Sequence, residues 1–332
     1  MTPTGRYGEE DHESYERPRR HTRPRTKERP TYDDAVEGRV MTVDRGRYTC
    51  LVDGVTVTAM KSRPLGRKGV VVGDRVRVVG DVSGDEGALA RIVEVRERAT
   101  VLRRTADDDD AVERVVVANA DQLVVVTAVT HPDPAYGFLD RCLVAAYAGG
   151  LEPLLCLTKT DLGSPQPLLD RYHGLDLGAV ALNRDEPLDA LLDRLRGRMS
   201  VLVGQSGVGK STLVNRLVPD AFRATADVTK VGKGRHTSSS VVLLDLPGGG
   251  TVIDTPGIRS FGLAHVTADD VLSAFDDLEE ASLACPPMCG HTADDPDCAL
   301  DAWAAEGPPA RAERLAGFRV LLDAVGQLGP GY

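Results

Sequence analysis

The spacing of apolar and polar positions changes character several times along the chain. Residues 1 to about 34 set Arg, Glu and Pro among almost no aliphatic side chains, so they lack the apolar surface needed to offset ordering entropy and read as a disordered tail. From Gly38 to Arg104 short β-rich runs succeed one another: Arg39–Val43, Tyr48–Val52, Val55–Ala59, Arg75–Gly80 and Ala88–Val95, separated by Gly- and Asp-bearing turns. Five such strands predict a small closed barrel such as an OB-fold. From about Val115 to His265 buried-type runs alternate with helical stretches. The runs are Leu123–Val126, Leu154–Leu157, Ala179–Leu182, Val201–Val203, Val241–Leu244 and Thr251–Ile253. This is the α/β pattern of a mainly parallel sheet covered on both faces. The last two runs flank Asp245–Gly250, whose Pro-Gly-Gly-Gly stretch predicts a hairpin. Beyond them, Asp269–Ser282 and Pro309–Gly326 space Leu, Val, Phe and Ala as helices do. The expected division is a tail over 1–34, a barrel over 35–104, an α/β domain over 105–267 and a helical module over 268–332.

Composition adds two constraints. With 42% hydrophobic and 4% aromatic residues, the 332-residue chain fits soluble α/β folds. No run approaches the roughly 18 to 20 apolar residues that a bilayer span requires, and the first thirty residues are charged where a signal peptide would be apolar. The expectation is a cytoplasmic protein that does not enter a membrane. The net charge of −10 disfavours a nucleic-acid partner only if it is spread evenly, and it is not. Residues 36 to 104 hold 14 Lys and Arg against 9 Asp and Glu, whereas residues 105 to 332 hold 18 against 33. One region can therefore face phosphate while the rest stays soluble. Lys61, Arg63, Arg67 and Lys68 cluster between the third and fourth runs of the barrel, which favours an RNA-binding barrel over a purely structural one, with few aromatics to stack on bases. In the tail, Arg17, Arg19, Arg20, Arg23, Arg25, Lys27 and Arg29 fit RNA contact and a solvated tail equally well.

The strongest chemical signal is Gly204-Gln205-Ser206-Gly207-Val208-Gly209-Lys210-Ser211-Thr212, a Walker A sequence between the apolar run Val201–Val203 and the helical pattern Thr212–Leu217. Its glycines let backbone N–H groups wrap a β-phosphate, Lys210 reaches β/γ oxygens, and the Ser211 hydroxyl completes a Mg²⁺ shell at a helix N-terminus. Asp254-Thr-Pro-Gly257 follows the strand Thr251–Ile253, 44 residues past Lys210. That position suits Asp254 to hold the metal through water and the Gly257 N–H to meet a γ-phosphate. Between the two lies the polar, basic segment Gly232-Lys-Gly-Arg-His236-Thr237-Ser-Ser-Ser240, in the place of a γ-phosphate-sensing loop. Thr237 is the candidate metal-sensing hydroxyl, with Ser238 second.

A guanine-selecting Asn/Thr-Lys-x-Asp sequence pairs its carboxylate with the N1 and N2 donors of the base and covers the ring with its Lys stem. None follows Gly257. It stands upstream as Thr158-Lys159-Thr160-Asp161, at the end of Leu154–Leu157. Base box before phosphate box is a permuted order, which preserves the site in space and leads the switch segment directly into the C-terminal module. Asp161 argues against a Walker A kinase or ATPase.

Six cysteines fall at 50, 142, 156, 285, 289 and 298. Cys142 and Cys156 read as buried core residues. The C-terminal set forms Cys285-x₃-Cys289-x-His291-x₆-Cys298, four soft ligands that fit one closed, structural Zn²⁺ site. Such a clip would hold a stretch rich in Pro and Asp and join helices.

Together these residues resemble the RsgA (YjeQ) family of circularly permuted GTPases that depend on the small ribosomal subunit. Val72-Gly-Asp-Arg-Val76, Glu97-Arg-Ala-Thr-Val-Leu-Arg-Arg104, Ala118-Asn-Ala-Asp-Gln122, Gly234-Arg-His-Thr237 and Asp254-Thr-Pro-Gly-Ile258 add to the match, which runs from about residue 36 to 325. The resemblance implies a late role in small-subunit maturation: the GTP form docks on the subunit, rRNA contact stimulates hydrolysis, and the GDP form leaves. It also implies slow intrinsic turnover, since Ile258 occupies the place where Ras-like enzymes orient water with Gln. His236 becomes the candidate water-positioning group, and the chain is expected to act as a monomer. The competing class is a nucleotide-gated RNA-binding assembly factor whose hydrolysis is incidental. Three departures stand out. Thr158 replaces the more usual Asn, Ala179–Asn183 lacks the usual Ser and later Gly of a second base loop and so is assigned no site, and the Cys/His spacing differs by a residue on each side.

Overall fold

The computed structural model describes residues 32–44, 46–66, 69–105, 113–219, 241–255, 261, 263 and 266–326. The basic tail, Arg67 and Lys68 lie outside the described residues. Five strands, β1 (Val36–Asp44), β2 (Arg47–Val52), β3 (Val55–Lys61), β4 (Arg75–Gly80) and β5 (Ala90–Val95), close on themselves in the order β1-β2-β3-β5-β4, with β4 pairing back to β1. Alternation sets the inside: Val40, Cys50, Val57, Val76, Val78 and Ile92 are fully buried in one small core. Strand β1 runs three residues further towards the N-terminus than its apolar run suggests, because Val36 to Arg39 pair with β4 while Arg39 to Asp44 pair with β2.

Next come β6 (Val101–Thr105) and β7 (Glu113–Ala118), an antiparallel pair outside the barrel. The α/β part follows as β8 (Gln122–Ala128), α1 (Tyr136–Ala148), β9 (Glu152–Thr158), α2 (Gln166–Tyr172), β10 (Gly178–Ala181), α3 (Asp189–Leu195), β11 (Met199–Val203), α4 (Lys210–Leu217), β12 (Val242–Asp245) and β13 (Thr251–Asp254). Its strands lie in the order β10-β9-β8-β11-β13-β12, parallel except for β12, which forms the expected hairpin with β13. Every residue of β8 is buried, as a strand covered on both faces requires. Leu123 and Val125 join the core under α1, whereas Val124 and Val126 join the core under α3 and α4. Thr42 of β1 also pairs with Val242 of β12, so barrel and α/β sheet form one eleven-stranded sheet among the described residues.

Among the described residues four helices follow: α5 (Ala268–Leu272), α6 (Asp276–Ser282), α7 (Ala299–Ala305) and α8 (Pro309–Gly326). The single helical stretch expected over Asp269–Ser282 is broken. Phe275, 2% exposed, takes an extended backbone (φ −129°) that carries its ring between Tyr147 and Phe318, at centroid distances of 4.8 and 5.8 Å. Burying that ring outweighs helical continuity. No helix among the described residues is long and apolar enough to cross a membrane.

Candidate functional site

In a parallel sheet all strands end on the same side, so loops distant in sequence meet there. The loop after β11, the loop after β9 and the end of β13 converge by this rule. Gly204 leaves β11 against the backbone of β8, where a Cβ would stand 2.6 Å from the Val126 carbonyl oxygen. Gly209 takes φ 97°, a left-handed conformation that turns the chain into α4 and sets Lys210 and Ser211 in its first turn. Leu213, Val214 and Leu217 bury the inner face of that helix. Lys210, with only 11% of its side chain exposed, pairs with Asp254 at the end of β13. Thr255 fixes that strand end, its buried hydroxyl donating to the Leu202 carbonyl of β11 at 2.7 Å.

The base box is tied to the phosphate loop by its own side chains. The Thr158 hydroxyl lies 2.6 Å from the Val208 carbonyl and 3.2 Å from that of Thr127. The Lys159 ammonium donates to the Gly207 carbonyl at 2.8 Å and to that of His131. Thr158, Lys159, Asp161, Gly207, Val208 and Gly209 border a single cleft of about 470 Å³, which Thr212 also lines. Thr160, behind it, donates its N–H to the Leu182 carbonyl. Gln205, Ser206 and Ser211 are exposed in the loop and at the start of α4. His236, Thr237, Ser238 and Gly257 lie outside the described residues.

Sequence reasoning left one wall of this cleft unassigned. Leu182, Asn183 and Arg184, in the loop after β10, line it, together with Arg216 of α4. No side-chain motif marks this loop in the sequence.

The Cys/His cluster forms a second centre. The donor atoms of Cys285, Cys289, His291 and Cys298 all lie within 4.8 Å of one another. His291 Nδ1 is 3.5 Å from Cys285 Sγ and 3.9 Å from Cys298 Sγ. A tetrahedron on zinc bonds of roughly 2.0–2.3 Å has edges of about 3.3–3.8 Å, so the set could close on one metal ion with a contraction of about 1 Å at its widest pair. Burial, opposed by the Leu300 N–H and reinforced by the neighbouring Cys289 and Cys285 thiols, pushes the Cys298 thiol up to about 11. The loop takes left-handed backbone at Met288, His291 and Asp297. Arg319 of α8 clamps the cluster from outside, donating to the carbonyls of His291 and Thr292 at 3.1 Å each and to both Asp301 carboxylate oxygens.

The RsgA GTPase family model matches residues 95–264, from the end of the barrel past the strand bearing Asp254. The small ribosomal subunit biogenesis GTPase RsgA of Chlorobaculum parvum is 37% identical over 281 residues, which span 81% of this chain and 90% of that protein. Its namesake in Paraburkholderia xenovorans is 36% identical over 306 residues, spanning 88% and 94%. Among solved structures, YjeQ from Thermotoga maritima shares the fold with a TM-score of 0.65 at 24% identity, over 89% of this chain and 98% of its own. YloQ, described as a circularly permuted GTPase, gives 0.61 at 22% identity, over 92% and 100%. Carrying the permuted boxes on the matching fold, and aligned with such relatives over most of its length, the chain belongs to the RsgA GTPase family.

Proposed function

We propose that this protein hydrolyses GTP during late maturation of the small ribosomal subunit, docking on the subunit and its rRNA in the GTP form and leaving after subunit-stimulated hydrolysis. The observation that carries the reading is the single cleft bordered by Lys159 and Asp161 on one side and by the phosphate loop on the other. In it, the Asp161 carboxylate pairs with guanine N1 and N2 donors, the Lys159 stem covers the ring, and Gly204 to Thr212 with Lys210 grip the phosphates. Ser211, Thr237 and Asp254 offer hydroxyl and carboxylate oxygens, the donors that Mg²⁺ takes. Mg²⁺ held there would supply positive charge to offset the negative charge of the phosphates. Gly257 meets the γ-phosphate and His236 positions the attacking water, because Ile258 has no group that could.

The domain over residues 35–104, which contains the barrel, supplies the RNA contact, with Lys61 and Arg63 on the third strand and the turn beyond. Cys285, Cys289, His291 and Cys298 hold one Zn²⁺ whose role is structural, since four protein ligands leave no position for water. The protein acts as a cytoplasmic monomer. Co-sedimentation with purified small subunits tests the switch. Retention should be stronger with a non-hydrolysable GTP analogue than with GDP, and should weaken as salt rises, because phosphate contacts release counterions. Equal retention in both nucleotide states would refute it.

A further inference from the structure

The loop after β10 is held at both ends by different parts of the nucleotide site. At its start, Leu182 donates its N–H to the Leu157 carbonyl at 2.7 Å, and its own carbonyl accepts the Thr160 N–H at 3.4 Å, which joins it to the base box. The loop then closes on itself. The Asn183 amide oxygen accepts the N–H groups of Asp185 and Glu186 at 2.9 and 2.8 Å, while the Asn183 N–H donates to the Glu186 carboxylate at 2.9 Å. Across the closed loop lies Arg216, in the last turn of the helix that the phosphate loop opens. Its guanidinium donates to the Asn183 carbonyl at 3.4 Å and to the Glu186 carbonyl. A planar fork of donors suits two carbonyls of one turn, and a shorter or single-headed side chain could not span both.

We propose that Arg216 is a positioning residue: it latches the Asn183–Glu186 loop to the phosphate-loop helix as the second wall of the guanine pocket, and so sets the affinity for the base. This rests on the reading of Lys159 and Asp161 as the base-selecting pair. Leu182, Asn183 and Arg184 border the same cleft as that pair, so a loop free to swing would leave the base held from one side. Since Asp161 acts on the exocyclic amino group of guanine and the loop does not, the two contributions separate by choice of nucleotide.

The test is calorimetric titration of the full chain with GDP, IDP and ADP, for the unaltered protein and for Arg216→Ala, Arg216→Lys and Asn183→Ala. If the latched loop falls to about a tenth of the population, apparent affinity falls about tenfold. Arg216→Ala should therefore weaken GDP and IDP alike by about tenfold, leave their ratio and the stoichiometry unchanged, and raise KM for GTP without lowering kcat. Arg216→Lys should recover part of the loss. Asn183→Ala should reproduce it, and the double variant should lose no more than the worse single one, because both act on one loop. A guanine-selective chain whose Arg216→Ala variant keeps its GDP affinity, or loses only stoichiometry, overturns the latch alone. Equal binding of GDP, IDP and ADP by the unaltered chain overturns the guanine reading and the latch together.

Discussion

Thr158→Val deletes one hydroxyl and keeps the side-chain shape, so it isolates the link between base box and phosphate loop. A hydroxyl has one proton, and the Val208 carbonyl at 2.6 Å is better placed to accept it than the Thr127 carbonyl at 3.2 Å. Val208 is 3% exposed, so water has little access to replace the lost donor. A buried acceptor left unpaired costs about 1–3 kcal/mol. Where that cost falls on the whole fold, it lowers the thermal midpoint by roughly 2–4 °C per kcal/mol. Where it falls on the phosphate loop alone, each ~1.4 kcal/mol appears as a tenfold weaker affinity. Scanning and titration calorimetry with GDP on Thr158→Val and Thr158→Ser measure both shares. The Ser variant keeps the hydroxyl and should stay close to the unaltered protein, whereas the Val variant should lose midpoint, affinity or both. A Val variant indistinguishable in both readouts would show that the hydroxyl does not brace the loop, and that the exchange of Asn for Thr in this motif has cost the site its brace.

The other expectations follow from single side chains. Asp161→Asn should shift preference from GTP towards XTP, because an amide suits the xanthine 2-oxo group; competition binding with both nucleotides reads this, and unchanged preference removes the guanine assignment. Cys298→Ser, at a proposed ligand only 4% exposed, should hold less zinc than the unaltered chain and speed proteolysis between α6 and α7, as measured by metal analysis and limited digestion. Full metal content in that variant would exclude Cys298 as a ligand. Hydrogen bonding to Arg319 holds the Asp301 carboxyl below its ordinary value, with burial opposing. A folded value below the unfolded one contributes stability that is present above about pH 4 and is lost as pH falls through the folded value. The midpoint gap between the unaltered chain and Asp301→Asn should therefore be present at pH 6 and shrink as pH falls below about 4, and a gap that does not shrink contradicts the pairing.

What could be read from the sequence was whatever apolar periodicity or a side-chain motif encodes. Strands β8, β9, β11 and β13 stood out because burial on both faces leaves them nearly continuous in Val, Ile and Leu. The three boxes were legible because each follows such a strand, and the sheet then brings Lys159 and Gly207 within hydrogen-bond distance. Pairing partners were not legible. The β6–β7 hairpin was missed because Val115–Ala118 looks like one more strand of the α/β series, although it pairs back to Val101–Arg103. The join between Thr42 and Val242 spans two hundred positions and leaves no local trace. The wall at Asn183–Glu186 was passed over because Ala179–Asn183 lacks the usual Ser and later Gly, and because main-chain carbonyls and N–H groups, which every sequence has, take part in holding it.

The protein is read as a guanine-specific hydrolase that the small subunit switches on. Steady-state phosphate release from GTP and from ATP, each with and without purified small subunits, tests it most directly. GTP turnover should be slow alone and rise manyfold with subunits, while ATP turnover stays at background throughout. GTP turnover unaffected by subunits, or ATP hydrolysed as fast as GTP, would contradict it.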